Sequence, residues 1–275
     1  MKQEDFDLFS VIVYQRSGLV LSKEKTYLLE ARLPAVARKY NLASIEDLAK
    51  TYRETRKEGM AFDITEAMTT NESFFFRDQK PFNIFKNVIL PHMLSTRYTK
   101  KIRIWSAAAS SGQEAYSIAI VCLEAAAELA GWTVEIIGTD ISREMIIKAK
   151  SGIYSQFEVQ RGLPVNMLVK HFTQVSGDKW QINPNLRNMV SFKEANLLTG
   201  STALGTFDVV FCRNVLIYFD TKTKTKVLTD ISNMLAKDGY LILGGAETVM
   251  GISDKFKADP TERGLYVLAD NKKVN

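Results

Sequence analysis

The spacing of apolar residues in the first part of the chain is that of α-helices. Four apolar side chains fall on one face of a first predicted helix: Phe6, Phe9, Ile12 and Val13. Gly18 is placed to end it, because glycine readily adopts the left-handed conformation of a C-terminal cap. A second helix is predicted from an N-cap at Ser22, with a kink or break at Pro34, and a third from a capping box of Ser44 and Asp47. No strong strand pattern precedes residue 100, so residues 1–83 are predicted to form an all-helical N-terminal domain.

From residue 100 onward the pattern alternates between strands and helices. Short apolar runs predict strands at 102–105, 134–138, 190–195, 209–212 and 240–243. Amphipathic segments predict helices at 116–129, 142–150 and 222–235. This alternation is typical of an α/β fold with a doubly wound, mostly parallel sheet. Residues 84–275 are therefore predicted to form a second domain.

One segment departs from this alternation. Trp180 and Ile182 alternate with polar residues after the turn-forming sequence Ser176-Gly177-Asp178. This pattern predicts a β-hairpin with a short turn. Residues 172–189 are therefore predicted to form a small antiparallel β-subdomain inserted into the second domain.

Composition excludes some classes of protein. The 275 residues are 46% hydrophobic, but no apolar run approaches the ~20 residues of a membrane helix, and the polar N-terminus lacks a signal-peptide pattern. We therefore predict a cytoplasmic protein. The two cysteines, Cys122 and Cys212, lie in apolar segments and are interpreted as small buried hydrophobic residues. With only two histidines no metal-binding pattern can be drawn, so no metal site is predicted.

Polar side chains directly follow the apolar strand at 209–212. Arg213 and Asn214 stand at its carboxyl end, and Tyr218 places a phenol in the apolar stretch beyond. In open α/β sheets, ligands bind at this edge. The segment therefore indicates an enzyme.

The ends of two earlier strands carry further candidates. The first strand leads into a loop of small residues at 106–112, which would let the backbone approach a ligand, although a tight strand-to-helix turn explains them equally well. The loop contains only Gly112, so it lacks the glycine pattern of a pyrophosphate site. The second strand ends on Asp140, which is suited to bind both ribose hydroxyls of a nucleoside. A helix N-cap is the alternative role, but Ser142 already fits it.

The strand at 190–195 is followed by Asn196 and Leu197. An amide next to an apolar side chain suits the edge and the face of an adenine, while an Asx turn would account for Asn196 equally well. A nucleoside site without a diphosphate site favours S-adenosylmethionine over a dinucleotide cofactor.

Three sequence segments resemble the signature segments of the CheR-type chemotaxis methyltransferases. They are TNESFFFRD at 70–78, IWSAAASSGQEAYS at 104–117 and FCRNVLIYF at 211–219. The resemblance covers nearly the whole chain. It implies transfer of a methyl group from S-adenosylmethionine to glutamate side chains of membrane chemoreceptors, whose cytoplasmic helical bundle would be the partner of a monomeric enzyme.

The resemblance also implies roles for individual residues. Catalytic roles fall to Arg77 and Tyr218, with Tyr218 near the reacting methyl. The implied cofactor-binding residues are Asn71, Ser73, Arg77, Glu114, Asp140, Asn196, Leu197, Arg213 and Asn214. Of these, Asn71, Ser73 and Arg77 would lie over the methionine end, and Glu114 would bind its amino group. Arg213 and Asn214 would line the floor of the pocket.

The chain departs from the family pattern at a few positions. Ser73 stands where the family commonly has threonine, Gln113 where it has glutamate, and Ala115 where it has proline. The hairpin turn at Gly177 is also shorter than the glycine-containing turn that accompanies docking of a receptor's C-terminal tether peptide. We therefore expect that docking to be absent.

The implied chemistry agrees with the side chains present. A glutamate substrate has a pKa of about 4.3, so it is already ionised and needs no general base, in keeping with motifs that contain no histidine. Two other functions remain open from the sequence. A regulatory module that binds the cofactor without turnover would release no S-adenosylhomocysteine, and a nicotinamide dehydrogenase would fail to bind S-adenosylmethionine.

Overall fold

A computed structural model describes residues 1–199 and 202–270. The chain forms two compact units, Met1–Thr70 with Tyr218–Lys224, and Asn71–Ile217 with Thr225–Asn275. The boundary expected after residue 83 lies later in the chain than this division. The reason is that the helical residues at 80–96 bury their apolar side chains in the core of the second unit, which a helical pattern alone does not reveal.

The first unit contains four helices. They are α1 (Gln3–Ser17), α2 (Thr26–Lys39), α3 (Ile45–Thr55) and α4 (Glu58–Met68). The predicted face of α1 is buried, and Gly18 ends the helix at a φ of 74°, as expected. The cap of α3 is also confirmed, since the Ser44 hydroxyl accepts a hydrogen bond from the Asp47 N–H at 3.0 Å.

The predicted start of α2 is wrong. Ser22 makes no capping hydrogen bond to a helix, because Lys23–Lys25 first form a 3₁₀ turn and α2 begins only at Thr26. The helix continues through Pro34 without a break.

The segment 218–224 belongs to the first unit through backbone and side-chain contacts. The Val20 N–H donates to the Tyr218 carbonyl at 3.0 Å, and the Tyr14 hydroxyl donates to Asp220 at 2.8 Å. The Tyr218 side chain is half-buried and packs against the apolar core of this unit.

The second unit is built on a seven-stranded sheet in the order β6-β2-β1-β7-β8-β10-β9. Its strands are β1 (Lys101–Ala107), β2 (Thr133–Asp140), β6 (Val190–Glu194), β7 (Phe207–Cys212), β8 (Leu235–Leu243), β9 (Phe256–Ala258) and β10 (Leu265–Leu268). The first five run parallel, which confirms the doubly wound α/β prediction. β9 and β10 were not predicted and add an antiparallel edge.

The part of the chain from residue 80 onward also contains helices. They are α5 (Lys80–Ile84), a π-helical stretch (Phe85–Ile89), α6 (Leu90–Thr96), α7 (Gln113–Glu124), α8 (Arg143–Ser151), α9 (Gln156–Gln160), α10 (Val165–His171), α11 (Pro184–Arg187) and α12 (Thr221–Met234). Every residue of β7 is buried, as expected of a central parallel strand. In residues 1–199 and 202–270 no helix has both the length and the apolar character needed to cross a membrane.

The predicted hairpin is confirmed as part of a small second sheet. Strands β4 (Phe172–Ser176) and β5 (Lys179–Ile182) are antiparallel and flank a turn in which Gly177 has a φ of 51°. The sheet also contains β3 (Ile153–Ser155), which was not predicted because three residues are too few to show alternation.

Candidate functional site

Several of the predicted site residues lie at or just after the ends of neighbouring parallel strands. Ala107 of β1 is in register with Thr139 of β2 on one side and with Cys212 of β7 on the other. Asp140 is in register with Glu194, the last residue of β6. Because these strands end together, the residues that follow them meet at one edge of the sheet.

Asp140 is tied to the loop that follows β1. One carboxylate oxygen accepts the Ser110 N–H at 2.7 Å, and the other accepts the Ser142 N–H at 2.9 Å. The residue is only 6% exposed. Ser142 caps α8 by accepting the Met145 N–H at 3.2 Å, as expected. Both bonds to Asp140 come from backbone N–H groups and hold the carboxylate at the end of β2. The ribose role of Asp140 stays a prediction.

The loop itself has an unusual backbone. Ala108 and Ser110 have φ values of 56° and 50°, a conformation that costs energy for residues with a β-carbon. The Ala109 N–H donates to the Thr139 carbonyl at 2.8 Å, which holds the loop against the end of β2. The small side chains thus permit a tight loop that presents its backbone at the strand ends.

Glu114, in the first turn of α7, is held by two donors. The Ser106 hydroxyl donates to one of its oxygens at 2.8 Å, and the Arg213 guanidinium donates to the other at 2.8 Å. The side chain is 12% exposed. Glu114 is therefore fixed between the ends of β1 and β7.

Arg213 is almost entirely enclosed. Its side chain is 1% exposed, and besides Glu114 it contacts Asp78 at 2.7 Å and the Arg77 carbonyl at 2.9 Å. The guanidinium also lies 5.7 Å from the ring of Phe82. These contacts fix the backbone around Arg77, so Arg213 joins the segment at 70–78 to the strand ends.

Arg77 lies beside an aromatic ring. Its guanidinium donates to the Glu72 carbonyl at 3.0 Å and stands 5.3 Å from the ring of Phe74. Arg161 approaches the same ring at 4.4 Å and forms a salt bridge with Glu72 at 2.6 Å. This hydrogen bond from Arg161 lowers the pKa of Glu72. Phe75 is fully buried, whereas Phe74 is only partly buried and lies beside the two arginines.

A cavity of about 280 Å³ adjoins this segment. Its wall includes Asn71 and Ser73, two of the predicted cofactor residues, and side chains of α8 and α9. The Ser110 hydroxyl donates to the Asn71 carbonyl at 2.8 Å, which places this segment next to the loop after β1. Glu114 and Asp140 do not line this cavity.

Asn196 adopts the local turn that the sequence left open. Its side-chain oxygen accepts the Leu198 N–H at 3.0 Å, the pattern of an Asx turn. The Ala195 N–H donates to the Asp140 carbonyl at 2.9 Å, so Asn196 and Leu197 follow directly on a residue bonded to the end of β2. An adenine contact by these two residues stays a prediction.

Tyr218 belongs to the first unit, so its predicted place beside the reacting methyl also stays a prediction. Three residues of the second unit make hydrogen bonds or ion pairs that hold the predicted site in place, although they were not themselves predicted as site residues. Ser106 and Asp78 anchor Glu114 and Arg213, and Glu247 accepts hydrogen bonds from the loop after β7. A carboxylate shortly after β8 was the available signal for Glu247.

Carboxylates dominate the electrostatics of these strand ends. Burial raises the pKa of the Cys212 thiol well above its usual value, and the nearby carboxylates of Glu247 and Glu114 raise it further. A site with this charge suits a cationic ligand. Together with the carboxylate of Asp140 and the tight loop after β1, it fits a positively charged nucleoside such as S-adenosylmethionine.

Comparison with known proteins gives matches to both parts of the chain. The family model for the CheR methyltransferase, SAM binding domain, matches residues 71–265, and the model for the CheR methyltransferase, all-alpha domain, matches residues 4–62. Chemotaxis protein methyltransferase Cher2 of Pseudomonas putida is 35% identical over 96% of this chain and 98% of its own length. Chemotaxis protein methyltransferase 1 of Pseudomonas aeruginosa is 37% identical over 96% and 97%. Chemotaxis protein methyltransferase of Borreliella burgdorferi is 34% identical over 87% and 86%.

Proposed function

Because the chain belongs to the CheR methyltransferase family, with the SAM-binding domain in its larger unit, we propose that it methylates glutamate side chains of chemoreceptors. The product would be a glutamate methyl ester, and the place of action would be the cytoplasmic helical bundle of the receptor. The family matches confirm the resemblance of the three sequence segments and the expected cofactor, S-adenosylmethionine.

The observation that carries the proposal is the network joining Glu114, Arg213 and Asp78. It fixes a buried carboxylate and the segment that carries Arg77 at the same edge of the sheet. When bound, S-adenosylmethionine supplies an electrophilic methyl group on a sulfonium. Glu114 would bind its amino group, Asp140 its ribose, and Asn196 with Leu197 its adenine. Asn71, Ser73 and Asn214 would complete the pocket.

The substrate carboxylate needs positioning and no deprotonation. At neutral pH a glutamate is ionised, since its pKa is about 4.3. Arg77 would attract that carboxylate and Tyr218 would fix one of its oxygens. Well-oriented reactants can gain roughly 7–11 kcal/mol from such positioning. Arg77 must hold the carboxylate weakly, because tight binding would stabilise the ground state equally.

Incubation with methyl-labelled S-adenosylmethionine and receptor-containing membranes tests the proposal. We expect label on the receptor that mild base releases as methanol, with one S-adenosylhomocysteine formed for each methyl transferred. Base-stable label would contradict a carboxyl ester. Cofactor binding without any S-adenosylhomocysteine would instead identify a regulatory binding module.

A further inference from the structure

Glu247 lies in the turn after β8, next to the loop that follows β7. Its residue exposure is 9%. One carboxylate oxygen accepts the N–H groups of Asn214 at 2.8 Å and Gly244 at 2.7 Å. The other accepts those of Val215 at 2.9 Å and Leu216 at 2.8 Å. A single carboxylate thus binds three consecutive residues of one loop and the end of the neighbouring strand.

These four bonds fill the acceptor capacity of the carboxylate, which has about four lone-pair positions. No acceptor position remains for a cofactor or a substrate. Glu247 therefore acts through the backbone that it holds and not by direct contact with a reacting group.

The backbone that it holds is strained. Asn214 has a φ of 59°, in the left-handed region that is costly for residues other than glycine and least so for asparagine. Such a conformation persists where surrounding contacts impose it. The Glu247 bonds to Asn214 and its two successors supply that constraint, directly after the buried Arg213.

We propose that Glu247 is a positioning residue of the methyl-transfer site, which sets the conformation of Asn214 and the direction in which the chain leaves β7. The inference rests on the proposed function, because it takes Arg213 and Asn214 to line the cofactor pocket. It assigns to the turn after β8 a role in cofactor affinity.

Two neighbouring glycines offer a test that leaves every charge in place. A β-carbon on Gly244 would lie 2.6 Å from the Glu247 carboxylate and 3.1 Å from the Asn214 amide nitrogen, whereas one on Gly245 would meet nothing within 4 Å. Gly244→Ala should weaken S-adenosylhomocysteine binding by about tenfold or more in calorimetry, which corresponds to about 1.4 kcal/mol. Gly245→Ala should stay within about twofold of the unaltered protein.

A second pair separates positioning from general destabilisation. Glu247→Gln keeps only one acceptor oxygen and turns an amide N–H₂ towards two N–H donors. Asp208→Asn is its matched control. Asp208 is 8% exposed and lies near the start of β7, at the opposite end of that strand from the loop that Glu247 holds, where it binds the Arg103 N–H and Arg97. Urea unfolding should show losses of stability in both variants, but only Glu247→Gln should raise the Kd for S-adenosylhomocysteine and lower kcat.

Binding by the unaltered protein reports on the proposed function alone, and the ratio within each pair reports on Glu247. Equal affinities for Gly244→Ala and Gly245→Ala would overturn the proposal. So would equal losses of affinity in Glu247→Gln and Asp208→Asn at matched stability. If Glu247→Gln does not fold, the glycine pair decides alone.

Discussion

The role proposed for Asp140 in ribose binding can be tested with a substitution. The structure shows why truncation to alanine is not the best choice. Asp140→Ala would remove the acceptor of two buried N–H groups, those of Ser110 and Ser142. An unsatisfied buried donor costs about 1–3 kcal/mol, so a loss of binding in that variant could reflect a loosened loop. Asp140→Asn is preferable, because it keeps one acceptor oxygen and the side-chain volume.

The expected size of the effect follows from the charge that is lost. A hydrogen bond to a charged group contributes about 1.5–3 kcal/mol, so replacement of the carboxylate should weaken S-adenosylmethionine binding by roughly 10- to 150-fold. The folding stability should fall as well, because one of the two N–H groups would face an amide N–H₂. Calorimetry with the cofactor and urea unfolding without it measure the two effects separately.

Asp254→Asn is the control, since it makes the same chemical change at an exposed position. It should leave both the Kd and the unfolding midpoint close to those of the unaltered protein. An Asp140→Asn protein that is folded and binds the cofactor with unchanged affinity would refute the ribose role. The carboxylate would then serve only the loop after β1.

The remaining predictions concern the substrate carboxylate, the receptor tail and the thiols. Tyr218→Phe should lower single-turnover methylation about tenfold or more with little change in cofactor Kd, whereas Arg77→Ala should impair both; a Tyr218→Phe enzyme with full turnover would contradict the positioning role. The methylation rate should be nearly flat from about pH 6 to 9, because the substrate is ionised throughout. Given the short turn at Gly177, deletion of a receptor's last few residues should leave its methylation rate unchanged; a large loss would show that the hairpin binds the tail. Burial raises the pKa of Cys122 to about 12 and that of Cys212 well above its usual value, so neither thiol should be alkylated at about pH 8 until the protein unfolds.

Much of the fold was predictable because parallel strands and amphipathic helices leave periodic patterns. The five parallel strands and the caps at Gly18, Ser44 and Ser142 are local features, and the structure confirms them. β3 and β9 were missed because strands of three residues carry too little periodicity, and β10 was missed as well.

The division of the chain depends on contacts that no local pattern contains. The helical residues at 80–96 look like a continuation of the helical domain, yet they are buried in the core of the second unit. In the opposite direction, the segment 218–224 lies between the parallel strands β7 and β8 in the sequence and yet packs in the first unit. Composition and periodicity decide that a segment is helical and apolar, but not which core it joins.

The site shows the same limit at the level of single side chains. Residues placed at strand ends could be identified, since the topology brings those ends together whatever the side chains do. The pairing of Arg213 with Asp78 could not, because the two are 135 positions apart and the nearer Arg77 offered a plausible partner. Glu247 was missed for a related reason, since its partners are backbone N–H groups, which every sequence contains.

These unpredicted contacts determine how the strand ends are charged. Arg213 binds both Glu114 and Asp78, so its single positive charge is shared between two carboxylates, and the network retains a net negative charge. In the proposed reaction this favours a sulfonium cation, and it opposes the approach of a substrate anion unless a second cation assists. Arg77 is bound to the same network through its carbonyl, while its guanidinium lies beside Phe74. The arrangement therefore places a cation on the segment next to the proposed cofactor site, where the incoming glutamate would need one. This is why we expect Arg77 to affect substrate and cofactor together.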